Sequence, residues 1–258
     1  MELTLAGQAV LGPGLPDWTT ARAVLCGGAR YAAGNVPEPA PELLPPNERR
    51  RASCSARWAL TVAQHALGAR LKEGGDIATV FTSCSGDGVI TNQICEVLAS
   101  APANVSPTAF HNSVHNAPAG YWSIATRCRA PSTSLCAYDG SFGAGLVEAA
   151  TQVGVEGRSV LLVAYDLPFP APMHSLWPIS LPFAAALLLD PAGAAGTAMR
   201  VSVLDGAAPV SWPPTLPRDL ATNPAAHALA LLEGPACGQK RSIDLPLASA
   251  SHVAVEIG

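Results

Sequence analysis

The chain of 258 residues has little charge and few aromatic side chains: 13% of its residues are Asp, Glu, Lys or Arg, and 5% are Phe, Trp or Tyr. Its net charge is −4, and no run of five like charges occurs, which argues against a nucleic-acid-binding surface. The longest apolar runs, such as residues 159–164 and 183–189, are far shorter than the roughly 20 residues that a membrane-spanning helix needs. We therefore expect no nucleic acid partner and no membrane span.

The sequence also lacks the signals of secretion and of metal or cofactor binding. Its seven cysteines are odd in number and irregularly spaced, which is typical of a reducing compartment and not of a disulfide framework. The segment Met1-Glu2-Leu3 has no basic region followed by an apolar run, as a signal peptide would. His111 and His115 are four residues apart, but the Glu of a His-Glu-x-x-His zinc motif is missing. We expect a cytoplasmic protein with no metal and no cofactor.

The hydrophobic residues, 49% of the chain, are arranged as strands that alternate with helices. Strands are predicted at 3–11, 77–82, 132–136, 159–165 and 252–257, with a hairpin-like pair at 182–190 and 199–204. Helices are predicted at 17–26, 49–72, 88–98, 112–126, 140–155 and 224–233. This alternation predicts βαβ units in an α/β layer architecture. We expect one domain, 1–258, in which 206–258 is a Pro/Ala-rich C-terminal extension. The low charge content suggests that another protein covers part of its surface.

Residues 130–146 form the most informative segment. They predict a short strand, a sharp turn and a helix of small residues that begins at or just after Asp139. Enzymes often hold a nucleophile at such a corner, because the N-terminus of a helix stabilises negative charge. Here the corner carries a carboxylate, which is a stable and weakly nucleophilic anion. An isolated Asp at a helix start is most often an N-cap.

This corner resembles the nucleophile turn of the β-ketoacyl synthases, the condensing enzymes of fatty acid and polyketide synthesis. Those enzymes carry a cysteine seven residues beyond a Gly-Pro-Ser, and the same count from Ala130-Pro131-Ser132 reaches Asp139. Three further segments, at 83–90, 106–120 and 157–166, are similar to ketosynthase segments and occur in the same order. The resemblance therefore places Asp139 at a degenerate nucleophile position, where no residue is expected to be catalytic.

The resemblance implies a fold and a partner. The implied fold is α/β, a thiolase-like (half-thiolase) layered arrangement with a mixed β-sheet flanked by helices. The implied function is that of a non-catalytic chain-length-factor subunit, as in aryl polyene pathways, which pairs with an active β-ketoacyl synthase in a heterodimer. Such a subunit shapes the acyl tunnel for a chain that is carried on acyl carrier protein. Asp139 would then cap its helix and hold the corner, or mimic a malonyl carboxylate.

The resemblance also assigns the interface and the tunnel. Thr133, Ser134 and Leu135 correspond to the strand that pairs with its counterpart across a ketosynthase dimer. Val89 and Ile90 correspond to the place where one subunit closes its partner's acyl tunnel, and Phe110 lies in the segment 106–120. Each prediction has an alternative. The strand Thr133–Leu135 could instead be central within one sheet. Val89 and Ile90 could instead be plain helix-packing residues.

Two other functions remain as alternatives. The first is an autonomous acyltransferase or thioester hydrolase that uses Asp139 with His111 or His115 as an acid–base partner. The second is a homodimeric module that binds acyl carrier protein. The following cysteines and histidines, outside these hypotheses, are predicted to have structural roles. The three cysteines expected to be small buried hydrophobic residues are Cys84, Cys128 and Cys136. The histidines expected at the surface or at a helix cap are His227 and His252.

Overall fold

A mixed sheet organises the chain in the computed structural model, which describes residues 1–36, 38–73, 76–102, 104–207, 209–248 and 250–258. The residues of the predicted domain 1–258 that lie outside the described residues are 37, 74, 75, 103, 208 and 249. Two of them, Ala208 and Ser249, belong to the predicted extension 206–258.

Eight strands among the described residues form one sheet in the order β3-β2-β4-β5-β1-β6-β8-β7. The strands are β1 (Glu2–Leu11), β2 (Ala78–Thr82), β3 (Ser132–Leu135), β4 (Val160–Asp166), β5 (Phe183–Pro191), β6 (Thr197–Asp205), β7 (Arg241–Ala248) and β8 (Ser251–Ile257). Strand β2 runs parallel to β3 and β4, and the other pairs are antiparallel. The predicted mixed sheet of a thiolase-like fold is confirmed.

Helices cover both faces of this sheet. They are α1 (Trp18–Leu25), α2 (Pro46–Arg51), α3 (Cys54–Leu67), α4 (Gly88–Leu98), α5 (Pro107–Asn112), α6 (Ala117–Thr126), α7 (Ser141–Glu156) and α8 (Ala228–Cys237). Helices α1, α7 and α8 share one hydrophobic core with the sheet, and α3 and α6 share the other. All residues of β2 and β4 are buried, which is typical of strands that helices cover on both sides.

Two predicted helices are each interrupted. The predicted helix 49–72 is α2, α3 and a 3₁₀ turn, Gly68–Glu73, because Ala52 has an extended backbone (ψ 134°) and Ser53 begins a new helix. The Ser53 hydroxyl accepts the N–H of Ala56 at 3.3 Å, as an N-cap does. The predicted helix 112–126 begins only at Ala117. Pro118, which lacks an N–H, occupies its first turn and prevents a continuous helix from 112.

The predicted hairpin-like pair 182–190 and 199–204 is wrong, because β1 lies between β5 and β6. The two strands are close in sequence, but β1 pairs with both of them, Leu5 facing Leu189 on one side and Thr197 on the other. Residues 206–258 contribute α8, β7 and β8 to the same core and sheet. The sequence did not predict β7.

Candidate functional site

The corner between β3 and α7 has the predicted strand–turn–helix form. A 3₁₀ turn, Tyr138–Gly140, joins the two elements. The Ser141 hydroxyl accepts the N–H of Ala137 at 3.0 Å and donates to the carbonyl of Tyr138 at 2.6 Å. Tyr138 has a φ of +48°, a left-handed conformation that costs an L-residue about 1–2 kcal/mol. The corner is therefore held in a strained geometry by its neighbours.

Asp139 does not act as the helix cap that the sequence suggested. The N-cap of α7 is Gly140, and no side-chain cap hydrogen bond forms in this fully described segment. A Cβ at Gly140 would lie 2.1 Å from the carbonyl oxygen of Leu247 on β7, so a glycine is required where the corner meets that strand. The carboxyl group of Asp139 is left exposed on the corner.

Asp139 faces a pocket of about 890 Å³ that draws on distant parts of the sequence. Its walls are mostly apolar, and they come from the end of β2, the corner, the segment 176–179 and the C-terminal quarter of the chain. The lining residues are Cys84, Tyr138, Asp139, Leu176, Trp177, Pro178, Ile179, Val210, Ala221, Thr222, Pro224, His227 and Pro246. The ring of Tyr138 stacks parallel to that of Trp177, with centroids 6.2 Å apart. The pocket is thus suited to an apolar or flat group.

The thiol in this pocket is not activated. Cys84 is buried, as the sequence predicted, and burial together with the charge of Asp166 raises the pKa of its thiol well above the usual range. Asp166, at the end of β4, is 2% exposed; its Oδ1 accepts the Ser83 hydroxyl and the Cys84 N–H, both at 2.8 Å. Burial raises the pKa of Asp166 to about 6. A thiol with a raised pKa is a poor nucleophile at neutral pH.

His227 is a pocket residue whose burial the sequence did not predict. It was expected at the surface or at a helix cap; it occupies the N-cap position of α8 without a side-chain cap bond, is 6% exposed and lines the pocket with Asp139. Burial lowers the pKa of its imidazole, and the Ala221 carbonyl and the Asp139 charge offset that effect in part. Its Nδ1 atom has no hydrogen-bond partner among the described residues. The sequence signal for the turn that carries His227 was Asn223-Pro224. The Asn223 side chain accepts the N–H of Ala225, as an N-cap does.

The other candidate histidines and cysteines lie elsewhere. His111 is exposed on α5 and His115 lies 3.3 Å, through Nε2, from the carbonyl of Ser83; neither lines the Asp139 pocket. Cys128 is buried, as predicted. The prediction for Cys136 is wrong: β3 ends at Leu135, so Cys136 falls in the turn and is exposed.

A second feature is the open edge of β3. This strand lies at the end of the sheet, and no strand among the described residues pairs with its outer side. The Pro131 carbonyl accepts the N–H of Thr79 on β2 at 3.0 Å. The Leu135 carbonyl accepts the N–H of Ser83, the residue after β2, at 3.4 Å. The alternation of the strand therefore turns the N–H and C=O groups of Ser132 and Ser134 outward. Of the two alternatives for Thr133–Leu135, the edge strand is the one observed.

Helices α4 and α5 carry exposed apolar side chains. A groove lined by α6 residues and by Ser132 and Ser134 runs along β3. Helices α4 and α5 pack against each other. Phe110 on α5 is 68% exposed. Helix α4, all of whose residues the structure describes, contains no buried residue; Val89 is exposed and Ile90 half-buried. The start of α4 is nevertheless fixed, because Asp87 accepts the N–H of Ile90 at 3.0 Å and the Ser55 hydroxyl at 2.6 Å.

Two general findings complete the description. Within the described ranges, no group of three or more His, Cys, Asp or Glu side chains is arranged to hold a metal ion. In the same part of the chain, no helix is both long and apolar enough to cross a bilayer.

The chain is similar to known ketosynthases in sequence and in structure. A family profile described as "Beta-ketoacyl synthase, N-terminal domain" matches residues 26–236. No curated protein matched the sequence. A structure of the ketosynthase ApeO in complex with its chain length factor ApeC, from Xenorhabdus doucetiae, contains a chain that is 26% identical, with a TM-score of 0.74; the match covers 99% of both chains.

Two further solved structures share the fold at lower identity. The ishigamide ketosynthase/chain length factor matches at 14% identity and a TM-score of 0.73, over 100% of this chain and 99% of that one. The complex AntDE:AntF, a type II carrier protein with its ketosynthase bound to the hexaketide, matches at 11% identity and a TM-score of 0.76, again over 100% and 99%. In all three, the matched chain is therefore about as long as this one.

Proposed function

This chain belongs to the β-ketoacyl synthase N-terminal domain family, and from that premise we propose that it is the non-catalytic, chain-length-factor subunit of a ketosynthase heterodimer. The observation that carries the proposal is an open edge strand, β3, that leads into a corner without an activated thiol. A condensing enzyme needs a thiolate to accept an acyl group. At the predicted nucleophile position this chain has the carboxyl group of Asp139, and the thiol that lines the same pocket is that of Cys84, whose raised pKa makes it a poor nucleophile.

The partner docks through strand addition. The outward-facing N–H and C=O groups of Ser132 and Ser134 supply the hydrogen bonds, and a partner strand antiparallel to β3 joins the two sheets. The side chains of Thr133 and Leu135 lie on the face of the sheet that α7 covers. The Thr133 hydroxyl is 3.2 Å from Gln152 Nε2, and Leu135 packs against the core that α7 shares with the sheet. In this proposal the exposed ring of Phe110 on α5 contributes further apolar area to the interface.

Val89 and Ile90 set the length of the product in this proposal. They lie in the first turn of α4, which Asp87 anchors, and their side chains are available to a partner because α4 is not buried. Side chains at the end of a partner's acyl tunnel exclude part of the chain, and each excluded methylene loses roughly 0.8 kcal/mol of burial. The substrates are growing fatty-acid-like or aryl polyene chains on acyl carrier protein. Similarity to the carrier-protein complex AntDE:AntF supports that partner.

Co-expression with the active ketosynthase encoded nearest to this chain tests the proposal. Size-exclusion chromatography with mass determination is expected to give a one-to-one complex. The complex is expected to extend acyl carrier protein substrates in a reaction that fails when the partner's nucleophilic cysteine becomes Ala and persists when Asp139→Asn is made here. A chain that stays monomeric or homodimeric beside the ketosynthase would contradict the proposal. Binding of carrier protein without any ketosynthase would favour the homodimeric module instead.

One observation favours a second candidate, an autonomous acyltransferase or hydrolase. Asp139 and the neutral, buried imidazole of His227 line the same pocket, so His227 replaces His111 and His115 as the acid–base partner in that hypothesis. Turnover of acyl thioesters by the purified chain, lost in both Asp139→Asn and His227→Gln, would establish it. Absence of turnover under conditions where the heterodimer condenses would eliminate it.

A further inference from the structure

Two of the seven cysteines, Cys26 and Cys237, line a surface groove that is separate from the Asp139 pocket. Cys26 caps the C-terminus of α1, and Cys237 is the last residue of α8. The groove that both residues line is formed by these two helix ends. Arg22 of α1 donates from Nε to the carbonyl of Ala236 at 3.1 Å, which fixes the ends of the two helices against one another. The fold thus brings two cysteines that are distant in sequence to the same groove.

Solvent and small molecules reach this pair. Both thiols line a surface groove of about 610 Å³, together with residues of the last turns of α1 and α8. Cys26 is exposed, whereas Cys237 is half-buried. The remaining exposed cysteines among the described residues, Cys95 and Cys136, lie on α4 and in the corner turn. Cys26 and Cys237 therefore share one groove, whereas Cys95 and Cys136 lie on separate elements.

We propose that Cys26 and Cys237 are a reversible redox modification site that forms an intramolecular disulfide with a small disulfide oxidant such as oxidised glutathione. The Cys26 thiolate attacks one sulfur of the oxidant, which releases one glutathione thiol and leaves a mixed disulfide. The Cys237 sulfur, deprotonated as it reacts, then attacks the Cys26 sulfur and releases the second glutathione. The protein dithiol loses two electrons and two protons, and both are recovered in two molecules of reduced glutathione.

The surroundings assign the order of attack. Burial and the neighbouring Cys26 raise the pKa of Cys237 to about 11, so Cys237 is a neutral thiol at pH 7. The more exposed Cys26 therefore reacts first with a bulky oxidant, and Cys237 resolves the adduct. The disulfide ties α1 to the end of α8. This helix continues directly from the turn Pro224–His227, which carries His227.

The test uses the purified full-length chain, reduced and then incubated with oxidised glutathione, blocked with an alkylating agent and analysed by intact and peptide mass spectrometry. We expect a loss of about 2 Da, a peptide that joins residues 26 and 237, and a Tm about 5 °C or more above that of the reduced chain, because the link closes a long loop. A stable adduct of about 305 Da on Cys26, or links through other cysteines, would overturn the proposal.

Matched variants separate the pair from the other exposed thiols. The double variant Cys95→Ser and Cys136→Ser is expected to form the 26–237 link and to gain the same Tm. In Cys26→Ser, oxidised glutathione is expected to produce no link and no change in Tm. A Tm increase that persists in Cys26→Ser would show that the stabilisation has another origin and would contradict the assignment.

Discussion

The two edges of the sheet, β3 and β7, differ in how they are protected. Strand β3 has four residues, contains no Pro or Lys, and leaves the outward groups of Ser132 and Ser134 without a strand partner in the described part of the chain. Strand β7 has Pro246 in it, and its outer side is occupied at Asp244. There Ser211 donates its N–H to the Asp244 carbonyl at 3.1 Å, and its Oγ accepts the Asp244 N–H at 3.0 Å.

The difference shows which edge is built to stay closed. An exposed edge strand pairs readily with another chain, and proline or a covering segment prevents this. Pro246 lies two residues after Asp244, so its backbone faces the same, outer side of β7. The N–H that proline lacks would therefore not have bonded to β8. The β7 edge therefore carries two of the usual protections, and the β3 edge carries neither. The predictions below test that contrast, from the largest effect to the smallest.

The largest effect is expected from Ser134→Pro. Its N–H faces outward, so proline removes no bond to β2 but blocks strand addition. In the joined sheet, the proline removes a hydrogen bond to the partner strand and leaves the partner's acceptor unpaired, which costs up to about 3 kcal/mol, or about 100-fold weaker binding of the ketosynthase. Sedimentation equilibrium of the heterodimer measures the change. The matched control is Ser242→Pro, an outward position on β7, which is expected to leave binding unchanged. Equal losses in both variants would remove the contrast between the edges.

The second prediction concerns the strands between the edges, whose stability should not depend on a partner. The pKa of Asp166 is about 6 in the fold and 3.8 as its ordinary value, so from pH 4 to pH 6 the folded chain binds more protons than the unfolded one. Stability from this group is therefore present at low pH and lost as pH rises, by roughly 2–3 kcal/mol. Urea unfolding is expected to show this loss in the wild type relative to Asp166→Asn. Parallel pH profiles would mean that Asp166 ionises normally.

Phe110→Ser is expected to have a smaller effect on association. If the exposed ring contacts the partner, its removal weakens the heterodimer by about tenfold, or 1.4 kcal/mol, without changing the Tm of the isolated chain. Val203→Ser is the control, because Val203 is also exposed but lies on β6, beyond β2, β4, β5 and β1 in the sheet order. Unchanged binding in Phe110→Ser would restrict the interface to the strand itself.

The smallest effect is expected from Val89→Phe. A larger side chain at the start of α4 fills part of the partner's tunnel and shifts the product distribution by about one two-carbon unit toward shorter chains. Mass spectrometry of the acyl chains on carrier protein measures the shift. Val203→Phe is expected to leave the distribution as in the wild type. A product profile that ignores Val89→Phe would place the end of the tunnel elsewhere.

Local patterns predicted much of the fold. The apolar runs of β1, β2, β4 and β5 and the helices α4 and α7 were placed within a few residues, because burial on both faces and helical spacing leave clear signals. The strand β7 was missed although its buried Ile243 and Leu245 alternate with polar residues, because Pro246 argues against a strand at this point. The prediction that β5 and β6 pair directly was wrong for a different reason: no local pattern indicates that β1 lies between them.

The site was predictable only where one segment builds it. The corner around Asp139 was recognised from a continuous motif, but its strained residue, Tyr138, and the Ser141 hydroxyl that holds it were not. His227 reaches the pocket from the C-terminal part of the chain, and tertiary packing alone sets that distance. Cys136 was placed in the strand because its apolar character continues the run, whereas the turn begins one residue earlier.

The central position of β1 has a consequence for synthesis on the ribosome. This strand emerges well before its neighbours β5 and β6, which begin only at Phe183 and Thr197. At 5–20 residues per second, the nascent β1 waits roughly ten to forty seconds for them with its apolar side chains uncovered. We predict that stalled nascent chains ending before β5 are cleaved by protease within β1, and that chains extending beyond β8 are protected. Chaperone demand should therefore fall mainly in that interval, while the middle of the sheet is still being made.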